Sequence, residues 1–288
     1  MVEMNKADRY LISDIFNILN NGFKDENPRP KYEDGSLAHT LSVNHVVRKY
    51  DLSKEFPISS LRNIAWKNAI KEILWIYQMK SNSLDTLENV YNIHWWNAWE
   101  SKDFPGTIGN RYGHTIEKYD IFNKRVLEEI KNDPYGRRHI CNLWQEDELN
   151  SSDGLYPCAY ETIWNVRGEY LDMMLIQRSG DMLVASGAGG VNECQYAALL
   201  LMTAHVLKYK PGIFTHIISN EQIYDRHIEN AKELISRSHE IKNGNIEYSI
   251  PKMILNSMLT DFNQFSIDDF TLIDYNPCTP QLKFDLGV

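Results

Sequence analysis

Cys158 stands directly after Pro157 in GLYPCAYETIW, residues 154–164, at the head of a run rich in strand-forming residues. A thiol there is a small hydrophobe or a nucleophile, and the second reading needs a nearby cation, because the thiolate is the reactive form and positive neighbours favour it. Arg178 in QRSGD is the candidate neighbour. If residues 158–166 and 169–179 pair as a hairpin about the RGE turn, Cys158 and Arg178 fall side by side near the ends of matched strands. Three arginine features stand out in an acidic chain: Arg29 in PRP, Arg137 with Arg138 in GRRH, and Arg178 with Ser179. A guanidinium fork matches phosphate oxygens bidentately, and a neighbouring hydroxyl adds a donor. Taken singly, each arginine reads as a surface or ion-paired residue.

Glu72 in IKEILW sits among apolar residues at helical spacing. Burial there would raise its pKa and suit it to acid–base work, whereas on a solvent face it would be an ordinary charge. The aromatic cluster IHWWNAW, residues 93–99, reads as core or as a platform for a planar ligand. The glycine-rich SGAGGVNE, residues 186–193, fits neither GxxxxGK[ST] nor GxGxxG, so it is expected to be a flexible loop before a helix.

The elements that must position these residues follow from periodicity. Helices are expected over residues 6–21 with Gly22 as the stop, over 59–82 with an N-terminal serine cap, and over 121–133, ended by Pro134. Residues 192–209 read as a buried helix and 221–238 as an amphipathic one. Strands are expected over 38–50, 138–144, 158–166, 169–179, 212–219, 270–275 and 282–288. With no repeat or low-complexity linker, the pattern implies one α+β domain over residues 1–288 with a mostly antiparallel or mixed sheet flanked by helices.

Composition narrows the function. The chain has 288 residues, 43% of them hydrophobic, which is enough for a sizeable core. A net charge of −9 argues against a general nucleic-acid or anionic-membrane binder. The four cysteines form no CxxC pair and the nine histidines no HExxH, so reduced thiols and no metal site are expected. No signal-peptide pattern or membrane-length apolar run is present, and a soluble, cytoplasmic protein is expected.

Read in order, KEILW, WWNAW, YGH at 112–114, DPYGRRHI, PC at 157–158, QRSGD, NECQYAALL and IYDRH resemble the folate-dependent thymidylate synthase family over nearly the whole chain. The resemblance implies reductive methylation of dUMP to dTMP, with 5,10-methylenetetrahydrofolate as co-substrate and no metal. It makes Cys158 the nucleophile toward uracil C6 and Glu72 the organiser of proton transfer, with Tyr112 assisting at C5. Asn192 would read the uracil edge. Arg29, Arg178 and Ser179 would hold the phosphate, joined by Arg137 and Arg138 from the second subunit of a homodimer built through the sheet. Tyr224 and Gln222 would meet the ribose, and Trp96, Asp181 and Val288 the folate.

The chain departs from the family pattern at Ala159 and Gln222, where histidines are common, and in the longer glycine-rich connection from Met182 to Val191. That connection keeps a dUMP hydroxymethylase of the same family as an alternative. A nucleotide- or RNA-binding regulator without turnover is a further one, against which the thiol speaks.

Overall fold

The structure is a computed structural model that describes residues 2–255 and 258–287. Helix α1 (Lys6–Asn21) is capped by Asn5, whose side chain accepts from the Asp8 N–H, and ends at Gly22 as its spacing predicts. The short β1 (Phe23–Lys24) and the long β2 (Thr40–Asp51) follow. Helix α2 (Trp66–Ile73) runs on through a wider turn at Leu74–Gln78. Then come α3 (Leu84–Tyr91), α4 (Gly113–Tyr119), α5 (Glu129–Asn132), β3 (Ile140–Asn142) and α6 (Glu146–Leu149). The second half holds β4 (Ala159–Arg167), β5 (Tyr170–Asp181), α7 (Val191–Val206), β6 (Lys210–Tyr224), α8 (Ile228–Lys242), β7 (Lys252–Leu255) and β8 (Phe270–Ile273).

Six strands form one sheet in the order β1-β2-β6-β5-β4-β3. All neighbours are antiparallel except β5 and β6, so the sheet is mixed. β4 and β5 form the expected hairpin, Arg167 opposite Tyr170 across a two-residue turn in which Gly168 takes φ 62°. A left-handed φ at that position is what such tight turns demand. Along β5 burial alternates, with Leu171, Met173, Leu175 and Gln177 buried on the covered face. Helices α1 and α7 pack on that face, and α2 packs on α7. α7 is buried from Glu193 to Leu200, as a helix enclosed by other elements must be.

Four expectations change. Residues 59–65 are not helical: Ser59 donates its hydroxyl to Asp8 at 2.6 Å and the Ser60 N–H also reaches Asp8, so both serines are held by α1 instead of capping α2, which has Ala65 at its N-cap. Residues 221–224 complete β6, and the helix begins only at Ile228, because Glu221 is buried in an ion pair with Arg48. Residues 282–287 form no strand, whereas β7, not expected, pairs with β8. The glycine-rich segment is packed rather than flexible. Residues 186–190 are all buried, and Gly189, at φ 67°, has no room for a Cβ, which would lie 2.4 Å from the Ser59 nitrogen.

Candidate active site

Strand pairing brings the thiol and the guanidinium together. The Arg178 N–H donates to the Cys158 carbonyl at 2.9 Å, and its Nη2 lies 3.5 Å from the Cys158 sulfur while also donating to the Tyr156 carbonyl at 2.8 Å. Nε donates to the Pro157 carbonyl at 3.1 Å, which fixes the plane of the fork. A register shift between Ala159 and Glu161 marks a bulge beside Cys158, a device that re-aims side chains at strand ends. The expected anionic sulfur is corrected in one respect. Burial pushes the Cys158 thiol up, and the guanidinium opposes that rise without cancelling it.

Tyr112 closes the other side, its hydroxyl accepting from the Cys158 N–H at 3.0 Å. Its φ of 48° and ψ of −106° are rare for a residue with a Cβ, and such strain collects where the surrounding structure over-determines a side chain. Its ring meets Trp96 edge-on at 5.5 Å, and Trp96 meets Trp99 at 5.8 Å. The WWNAW cluster is thus an aromatic wall beside the thiol.

Glu72 is buried, which decides between its two readings in favour of the interior. Burial pushes its carboxyl up to about 7, opposed by the Gln195 amide and the indoles of Trp95 and Trp96. Trp95 Nε1 donates to it at 2.5 Å. A carboxyl that titrates near neutrality can give or take a proton at working pH. Gln195 links Glu72 to Asn192, whose Nδ2 donates to Gln195 Oε1 at 2.9 Å. Asn192 Oδ1 accepts from Ser186 Oγ at 2.8 Å.

At the end of β5, Asp181 accepts from the N–H groups of Leu183 and Val184. Burial pushes its carboxyl up to about 7. Ser179 Oγ receives Gln222 Nε2 at 3.4 Å, so those two expected ligand residues are adjacent across β5 and β6. Tyr224, two residues further along β6, is buried against Tyr32. The exposed Arg29 lies near enough to oppose the rise in the Tyr224 pKa to about 12 that burial causes. The C-terminal segment crosses here: a Cβ on Gly287 would come within 2.8 Å of the Tyr224 ring. Val288 lies outside the described residues.

Arg137 and Arg138 do not join this group within the chain. Both are exposed and line a shallow depression with Asp133, Tyr135 and Gly136, where Arg138 faces Asp133 at 3.7 Å. Sequence reasoning missed a buried polar set behind the site: Gln177, Ser186, Gln195, Arg48, Glu193 and His216. His216 carried a readable signal, an imidazole inside the apolar strand GIFTHIIS. Gln177 carried another, since alternation along β5 puts it inward next to the outward Arg178. Among the described residues, no cluster of His, Cys, Asp or Glu is arranged to hold a metal ion, and no helix is long and apolar enough to cross a membrane.

Comparison with known proteins gives one answer. The family model described as thymidylate synthase matches residues 10–288. A thymidylate synthase of Streptococcus pneumoniae is 46% identical over 291 residues, covering 99% of this chain and 100% of the relative. That of Streptococcus sanguinis is 44% identical over 290 residues, with 99% and 100% covered. Among solved structures, the thermostable thymidylate synthase A of Bacillus subtilis superposes with a TM-score of 0.86 at 37% identity, covering 99% of this chain and 100% of that one.

Proposed function

Because the chain belongs to the thymidylate synthase family, we propose that it converts dUMP to dTMP with 5,10-methylenetetrahydrofolate as co-substrate, through a transient bond from Cys158 to uracil C6. The observation that carries this reading is the 3.5 Å approach of Arg178 to the Cys158 sulfur, held by strand pairing. One guanidinium can there serve both the thiolate and a phosphate, since Nη1 makes no hydrogen bond among the described residues. Ser179 and Arg29 complete the phosphate site on this chain. A dianionic ligand adds negative charge beside the sulfur, so the guanidinium must balance both.

The thiolate adds to C6, which makes C5 nucleophilic, and the same bond breaks when the product forms. A sulfur suits both steps because it is nucleophilic and a good leaving group. Glu72, titrating near neutrality, moves protons at the base through ordered water, and Tyr112 assists loss of the C5 proton. Asn192 reads the base, accepting from N3–H and donating to O4. Tyr224 and Gln222 hold the ribose, where Gln222 Oε1 is a buried acceptor with no partner among the described residues. That orphan acceptor fits a sugar hydroxyl.

The wall of Trp96, Trp99 and Tyr112 fits a flat pterin. Asp181 borders the same space. When bound, the folate supplies the one-carbon unit and the hydride. We further assign a cytoplasmic homodimer. On the sheet face away from the helices, Val47, Ile217 and Ile176 stand in register, and Val47 is 48% exposed. A second copy would cover this apolar row and bring its Arg137 and Arg138 to the phosphate.

The test is product mass from dUMP and methylenetetrahydrofolate. dTMP with one equivalent of dihydrofolate supports the reading; a hydroxymethylated nucleotide overturns it. Cys158→Ala should bind dUMP without turnover.

A further inference from the structure

Behind Asn192 lies a chain of hydrogen bonds whose donors are fixed from Gln177 through Ser186 to Asn192. Gln177 Nε2 approaches the Ser179 carbonyl at 2.8 Å, Ser186 Oγ at 2.7 Å and Asn192 Oδ1 at 3.3 Å. A main-chain carbonyl only accepts, so the nitrogen end of this amide must face it, and its two hydrogens go to the two nearest oxygens. Ser186 Oγ therefore receives from Gln177 and spends its own hydrogen on Asn192 Oδ1 at 2.8 Å. The oxygen end of Gln177 faces His216 Nε2 at 3.0 Å, so that nitrogen carries its proton. His216 Nδ1 meets Glu193 at 3.1 Å, and Glu193 meets Arg48 at 3.3 Å. Arg48 returns to the start of the chain by donating to the Ser186 carbonyl at 3.0 Å.

The consequence falls on Asn192. Its oxygen is addressed by a hydroxyl donor and its nitrogen by the Gln195 acceptor, so the amide has one favoured orientation. The second lone pair and the second hydrogen are left to present an acceptor beside a donor. Uracil offers N3–H beside O4 and matches this edge; cytosine offers a bare N3 beside an amino group and requires the amide turned over. Turning it would set its N–H toward Gln177 and its oxygen against Gln195 Oε1.

We propose that Ser186, held by Gln177 and Arg48 within the glycine-rich segment, is a positioning residue that locks the Asn192 amide in the uracil-reading orientation and so contributes to the choice of dUMP over dCMP. The proposal rests on the assignment of Asn192 to the base. It gives the Met182–Val191 connection a task, since that segment supplies the hydroxyl.

The test is the ratio of dissociation constants for dCMP and dUMP, measured by calorimetry on the intact protein and on Ser186→Ala and Asn192→Ala. Loss of one buried hydroxyl donor should shrink the ratio by about three- to tenfold in Ser186→Ala, mainly through weaker dUMP binding. Loss of the amide should shrink it further. A ratio unchanged in Ser186→Ala but collapsed in Asn192→Ala overturns the positioning role alone, and equal weakening of both nucleotides counts the same way, as the mark of a merely loosened site. Unchanged ratios in both variants overturn the Asn192 assignment and the positioning role with it.

Discussion

Arg178 touches Cys158 twice, by its main-chain N–H to the carbonyl at 2.9 Å and by Nη2 to the sulfur at 3.5 Å. The strand ladder that sets the fold therefore also sets the distance between cation and nucleophile. Because burial raises the thiol pKa and this guanidinium lowers it, Arg178→Gln leaves burial unopposed. Alkylation of Cys158 by iodoacetamide at pH 8 should slow by about three- to tenfold, the effect of half to one pKa unit, while Arg178→Lys retains most of the rate. Equal rates in all three proteins would show that the charge does not reach the sulfur.

Glu72 ties catalysis to stability. Its pKa of about 7 in the folded chain exceeds the 4.5 of an ordinary glutamate, so between those values the folded state holds a proton that the unfolded state has released. Its contribution to stability is complete below 4.5 and is lost as pH rises through 7. Glu72→Gln removes that loss. Relative to the parent protein, its unfolding free energy in urea should improve by about 1–3 kcal/mol between pH 5 and pH 8, while turnover falls by about 10²–10⁴. A variant whose stability tracks the parent at both pH values would place the proton elsewhere.

The parts legible in the sequence are those whose physics is local. The β4–β5 hairpin follows from alternation and one turn, and with it the meeting of Cys158 and Arg178. What was not legible depends on partners far along the chain. Ser59 and Ser60 have the residue type of helix caps, but Asp8, about fifty residues away, holds them. Glu221 and Gln222 look like the polar start of a helix, yet Arg48 makes a buried place for the first and the sheet continues through both. The glycines at 187, 189 and 190 suggest mobility, but they let the segment pack closely enough for the Gly189 N–H to reach buried Glu193 at 2.7 Å.

Arg48 is fully buried and meets Glu193, Glu221 and Asp14 together. Arg48→Met would leave carboxylates without their cation in a dry interior, so it should cost about 3–5 kcal/mol by denaturant unfolding. Part of that loss arises from Glu221, whose carboxyl burial pushes up to about 7 even with the arginine present. Adding Glu221→Gln to Arg48→Met should therefore recover some stability, and a double variant weaker than the single one would contradict this account.

Arg226 fastens the C-terminal segment. Its guanidinium lies 3.9 Å from the Tyr32 ring centroid and bonds Asp34 at 2.6 Å, Ser36 at 2.9 Å and Asp285 at 3.1 Å. His227 Nε2 meets the Asp285 carbonyl at 2.8 Å from the same turn. These groups hold residues 285–287 over Tyr224, beside the proposed ribose and folate sites. Arg226→Ala should speed carboxypeptidase trimming and raise the KM for methylenetetrahydrofolate by about three- to tenfold, as expected for loss of exposed ion pairs acting together with a cation–π contact. The dissociation constant for dUMP alone should change less, because Cys158, Arg178 and Asn192 are positioned by the sheet and α7 rather than by this fastening. Slower trimming, or a dUMP affinity that falls as far as the folate KM rises, would mean that Arg226 shapes the nucleotide site itself.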